Sequence, residues 1–187
     1  MYKPVQLIIF SDSLVLSMPS NYCGRIYDKI PHAIINLLES GFLVRGGISL
    51  GLLHHTDQII FGPALVRAHD LEHNEAKFPR ILIDDSVIEK TGATEQPIMK
   101  DQLGNWIIDP FPKRMECNFN KNEWRKFLNE NFQIEFVTEK IERAILNVTE
   151  SSLKNKWRFQ AEVCARSLEK YNKATADLVL RLRRCAK

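Results

Sequence analysis

Over the first ninety positions short β-type apolar runs alternate with helically spaced ones, and beyond about residue 121 the spacing is helical. Val5–Phe10 and Leu14–Ser17 are rich in β-branched and apolar residues, and Ser11-Asp12-Ser13 between them carries turn chemistry. They predict a β-hairpin from a sheet covered on at least one face. From Arg25 to Ser40, Ile26, Ile30, Ala33, Ile34, Leu37 and Leu38 recur at helical steps. Pro31 has no backbone N–H, so it starts this helix or kinks a longer one, and Gly41 stops it. Phe42–Leu53 reads as an extended strand, and its Gly46, Gly47 and Gly51 mark close approach to a ligand or to another element. A turn at His54–Asp57, a strand at Gln58–Phe61 and a helix from Gly62-Pro63 to Ala76 follow, with Ala64, Leu65, Ala68 and Leu71 inward. Arg80–Ile83 predicts a strand and Ser86–Glu89 a short helix or turn.

This alternation predicts an α/β (α+β) sandwich with a partly antiparallel sheet. Leu103–Asp109, with Gly104-Asn105 as turn residues, predicts the second strand of a small hairpin closed by Pro110 and Pro112. Helices are expected at Asn122–Asn131, at Thr138–Leu153, on through Tyr171, and at Lys173–Cys185. The chain thus divides into a core at 1–90, a hairpin and loop segment at 91–121, and a helical C-terminal region at 122–187. That region is expected to pack on the core or on a partner subunit.

Composition narrows the setting. Hydrophobic residues make up 44% and charged residues 26% of the 187 residues, as in a soluble globular domain. A net charge of +3 gives no footprint for nucleic acid, and Arg181, Arg183 and Arg184 read as the solvated end of a helix. No apolar run approaches the roughly 20 residues of a membrane helix. Asp12 and its serines break the N-terminal run that would otherwise suggest a signal peptide. Cys23, Cys117, Cys164 and Cys185 are scattered and form no CxxC pair, which points to reduced thiols and a cytoplasmic setting.

An aspartate at a hairpin tip can offer a hard oxygen to Mg²⁺ or Mn²⁺, or it can simply cap turn amides. Its context resembles a known family. IIFSDSLVLS resembles the metal-binding hairpin of class III nucleotide cyclases, VRGGISLG resembles their "RIGIHTG" strand, and IIFGPALVRAHDLEHNEAKFPRILIDDSVI resembles the block that follows. The three phrases come in the family's order at compatible spacing. The wording FSDS, RGGIS and GPAL, with the later DQLGNWIIDPFP and KNKWRF, is similar to the bacterial anti-phage Pycsar pyrimidine cyclases.

The resemblance implies a ferredoxin-like core, a homodimer with its sites between subunits, and a two-metal mechanism with ions about 4 Å apart. A pyrimidine nucleoside triphosphate would close to its 3′,5′-cyclic monophosphate, cUMP or cCMP, and release pyrophosphate. Asp12 falls on the metal aspartate, with Mg²⁺ or Mn²⁺ as the ion, and Phe10 and Ser11 beside it fall in the substrate-binding hairpin. Arg45 falls on the arginine that opens the glycine-bearing strand, where it faces phosphate or serves structure.

Departures from the family are as informative. Its purine-reading Lys and Asp positions hold Ile8 and Ile59, which fits a pyrimidine substrate and fits a decayed site equally. Its transition-state Asn and Arg positions hold Val66 and Asp70. Arg67 either substitutes for them or pairs with Asp70 three residues on. His54, His55 and His69 are metal ligands, acid–base groups or exposed turn residues. Asp84 and Asp85 read as turn or cap residues. The family's first strand, with its "F-x-D-x-x-G-F" phrase and first metal aspartate, has no counterpart, so an N-terminally shortened chain is expected. On the resemblance, the chain is either a cyclase or a catalytically inactive, dimerising nucleotide-binding relative.

Overall fold

A computed structural model of the chain describes residues 5–22, 29–91, 97–112, 130–171 and 176–187. Cys23, Cys117 and most of the helix expected at 122–131 lie outside these residues. The fold is mixed α/β with strands of both orientations.

Strands β1 (Gln6–Phe10) and β2 (Ser13–Ser17) form the expected hairpin, with Phe10 opposite Ser13. Ser11 has φ of 51° and is the one non-glycine residue with positive φ among those described. Positive φ at the first turn position alone is the sign pattern of a type II′ turn, which matches strand twist. The hairpin is a separate two-stranded sheet rather than part of a covered one. Strand alternation puts Leu7, Ile9, Leu14 and Leu16 on one face, and these are 52, 63, 62 and 38% exposed. The other face, with Ile8 and Val15 half-buried, meets the rest of the chain through Gln6 and Ser17.

Helix α1 (Ile30–Glu39) carries Pro31 in its first turn, and residues 23–28 before it are outside the description. Gly41, at φ 85°, ends it: its N–H donates to Leu38 and the Phe42 N–H donates to Leu37, the paired bonds of a Schellman cap. The long strand expected at Phe42–Leu53 shortens to β3 (Gly46–Ile48), because the strand it pairs with offers only Ile81, Leu82 and Ile83 as partners. The histidines expected in a turn instead form β4 (His54–His55), which pairs with β5 (Ile60–Phe61).

Helix α2 (Pro63–Asp70) passes into a π-turn at Leu71–Glu75. Gly47 allows this unit to lie directly on β3, since a Cβ there would sit 2.4 Å from the Ala68 carbonyl oxygen and 2.6 Å from the Leu71 Cβ. Of the two readings of the strand glycines, this one marks approach to another element.

Strand β6 (Ile81–Ile83) leads into helix α3 (Asp85–Thr91), and β7 (Ile98–Lys100) and β8 (Trp106–Ile108) form the small hairpin. That hairpin joins the main sheet, ordered β3-β6-β8-β7, in which β3 runs parallel to β6 and the other pairings are antiparallel. Helices α4 (Glu130–Asn147), α5 (Ser151–Tyr171) and α6 (Ala176–Cys185) form the C-terminal region, with a break after Asn147 where one helix was expected to run through Leu153. They pack on the core: Ile141, Trp157, Leu168 and Leu182 share one buried cluster with Ile35 and Leu38 of α1 and Ile83, Ile98 and Ile108 of the sheet. No helix among the described residues is long and apolar enough to cross a membrane.

Candidate functional site

Asp12 stands exposed at the hairpin tip between exposed Ser11 and Ser13. Phe10 is 46% exposed beside it, and Ile8 lies two residues back on the half-buried face. Ile59 is 55% exposed in the β4–β5 turn, where its carbonyl accepts the Thr56 N–H at 2.8 Å. The hairpin is tied to this second strand pair by the Gln6 side-chain amide, which donates to the His55 carbonyl at 2.6 Å, and by Ser17 Oγ, 2.6 Å from His55 Nδ1. His55 Nε2 is buried without a hydrogen-bond partner. The histidine therefore serves as a joint, with one ring nitrogen toward the hairpin.

Arg67 projects from α2 into three carboxylates. Its Nε donates to Asp84 at 2.6 Å, and its Nη1 donates to Asp70 at 3.0 Å and to Glu75 at 2.5 Å. The hydrogen bonds to Asp84 and then Glu75 raise its pKa further above the already high arginine range. Asp84 also accepts from the Ser86 N–H at 3.1 Å and from Ser86 Oγ, so it caps helix α3. Burial pushes the Asp84 carboxyl up, but the bonds from Ser86 and Arg67 outweigh it and hold the group below its ordinary value. At Asp70 the Asn74 amide bond has the largest effect and, with Arg67, lowers the pKa. Arg67 thus locks the α2 unit to the end of β6. Val66, beside it, is 68% exposed.

Arg45, just before β3, reaches across to the π-turn. Its Nε and Nη2 both lie 2.5 Å from Glu72 Oε1. His69 and His73 flank that glutamate, with ring centroids 5.5 Å apart and planes 12° from parallel. Among the described residues no hydrogen bond or ion pair joins Asp12 to either arginine. The structure brings Arg67 together with Asp70 and Asp84, and Arg45 onto the Glu72 that groups with His69 and His73.

Sequence reasoning passed over Glu72 and His73, although the 69, 72, 73 spacing places all three side chains on one helix face. It also passed over two buried carboxylates. Asp101 pairs with buried Arg80 at 2.7 Å and accepts the Leu103 and Asn105 N–H groups. Asp109 accepts from Ser167 Oγ and from the Phe111 N–H, with Lys170 Nζ at 3.6 Å. Both fix loop ends. A cavity of about 10 Å³ between Ile34, Arg80, Ile107 and Gln160 has room for about one water.

These features define a mixed α/β protein whose candidate acid, cation and imidazole groups lie on the hairpin, the β4–β5 pair and the β3–α2 unit. In comparisons with family models, curated proteins and solved structures, nothing matches the chain.

Proposed function

We propose that this chain is the core of a class III-type nucleotide cyclase with a ferredoxin-like ancestry, forming cUMP or cCMP from the triphosphate as a messenger in anti-phage defence. The observation that carries this reading is the order and spacing of the three phrases around Asp12, Arg45 and Arg67. The exposed position of Asp12 supports it, because a metal-binding carboxylate must reach solvent and substrate. Ile8 and Ile59 support a pyrimidine, since neither can form the hydrogen bonds that select a purine.

Asp12 belongs to no group of three or more potential ligands among the described residues. One carboxylate holds Mg²⁺ or Mn²⁺ only alongside substrate phosphates or a second acid. The donors present therefore do not fit a two-metal pair by themselves, and no step is assigned to a metal here. The apolar Leu7, Ile9, Leu14, Leu16 face supports a homodimer, since an exposed face of this kind marks an interaction surface. A Mn²⁺-supported assay with UTP and CTP tests the reading. Cyclic product from the wild type and none from Asp12→Ala is expected, and product that survives the substitution refutes the site.

A second reading, an inactive nucleotide-binding domain, is favoured by one observation. Arg45 and Arg67 already face carboxylates, so neither is free for phosphate without breaking a pair. Calorimetric binding of nucleotide without turnover would select this reading.

A further inference from the structure

We propose that His69, Glu72 and His73 form a site for a zinc-class divalent ion on the outer face of α2 and its π-turn. The inference is independent of the cyclase reading and lies apart from Asp12. One ligand atom from each of the three residues falls within 4.8 Å of the others. Tetrahedral zinc, with bonds of about 2.0–2.2 Å, needs donors about 3.4 Å apart. Both histidines are exposed and Glu72 is half-buried, so side-chain rotation closes the difference. The two imidazole rings are near-parallel, with centroids 5.5 Å apart.

Three further observations build the site. First, its base is rigid: Leu71, inside the ligand run, is buried, and the unit rests on β3 at Gly47 with no room to shift inward. Second, the backbone is a π-turn, closed by the Ala76 N–H donating to the Leu71 carbonyl at 2.8 Å, and such turns concentrate at functional positions. Third, Arg45 bonds Glu72 through Oε1 alone and leaves Oε2 for an ion. A hydrogen-bonded ligand carboxylate is oriented by such an outer partner.

Two imidazoles and one carboxylate select Zn²⁺, Ni²⁺ or Cu²⁺ over Mg²⁺ and Mn²⁺. The fourth position opens to solvent and would take a water or a donor from another molecule.

Titration of the full chain with Zn²⁺, followed by calorimetry, tests the assignment. One equivalent should bind, and Mg²⁺ should not compete. Loss of an outer-shell partner alone costs about 10–100-fold in affinity, so His69→Ala and His73→Ala should each weaken binding at least as much. Glu72→Gln should weaken it in the same direction, and His54→Ala should leave it unchanged. Circular dichroism should match the wild type throughout, because the histidines are exposed. No binding by the wild type, or equal binding by the His69→Ala/His73→Ala double variant, overturns the proposal. The second result would place the ion on thiols or on other histidines.

Discussion

The β1–β2 hairpin and the α4–α6 layer show opposite relations between chemistry and packing. The hairpin holds Asp12, yet its apolar face lies open, with Ile9 63% and Leu14 62% exposed. The helical layer carries no candidate site residue, yet Ile141, Ala161, Cys164, Ala165 and Leu168 are each fully enclosed. Burial of the Cys164 thiol pushes its pKa up to about 12, which keeps it inert. Stability is concentrated in the helices and the sheet they cover, while Asp12 sits on a thinly supported pair of strands. Substitutions in the two regions should therefore separate.

The largest loss is expected at the buried Arg80–Asp101 pair at the strand ends. Arg80 and Asp101 have side chains 4% and 0% exposed, and Asp101 also holds the β7–β8 turn. Asp101→Ala strands a buried guanidinium and should cost about 3–5 kcal/mol in urea unfolding. Leu168→Ala, in the layer between α5 and the sheet, should follow at about 2–5 kcal/mol as a cavity forms. A loss under about 1 kcal/mol at both positions would mean that the helices and the sheet they cover are not the stable part.

Much of this division was legible in the chain and part of it was not. Period-two and helical spacings marked the hairpin, α1 and the run from Pro63, and Pro31, Gly41 and Gly104 marked boundaries through rules that need no tertiary context. The length of β3 was hidden, because how much of Phe42–Leu53 is strand depends on the length of its partner strand. The π-turn was hidden as well, since Leu71–Glu75 has ordinary helical composition. Arg67 carried two readings, and its pairing with Asp84, seventeen residues on, is a tertiary contact that no local spacing reveals. Asp12 was the most visible residue, because a turn aspartate needs only its neighbours to be recognised.

An acid titration sharpens the comparison with a smaller effect. Glu162 of α5 accepts from Arg166 and from Arg183 of α6, which also bonds Glu169. Burial would raise the Glu162 carboxyl, but the bonds from Arg183 and Arg166 prevail and hold it below the ordinary glutamate value of 4.5. A carboxyl with its folded pKa below its unfolded one binds fewer protons in the folded state. Its stabilisation is fully present above pH 4.5 and disappears as the pH falls through the folded value. Glu162→Gln should remove on the order of 1 kcal/mol at neutral pH and flatten the wild-type decline below that point. Equal acid slopes for the two proteins would show that the α5–α6 bridge contributes nothing to stability.

The smallest effect is expected on the hairpin, and it decides what the open face is for. Ile9→Ala and Leu14→Ala remove side chains that already meet solvent, so in dilute solution each should change stability by less than about 0.5 kcal/mol. If a second copy covers this face, the same substitutions act on association instead. Sedimentation of the wild type should then show a dimer that the double variant loses, and the wild-type unfolding midpoint should rise with concentration. A wild type that stays monomeric across the range removes the homodimer from the proposed function. A loss of 2 kcal/mol or more in a monomer would mean that the face is covered within the chain itself, and the contrast between the two regions would fail at its clearest point. Leu7 and Leu16 complete the same face through the Leu7–Leu16 pairing, so a graded response across these four positions would tie the effect to the face and not to one residue.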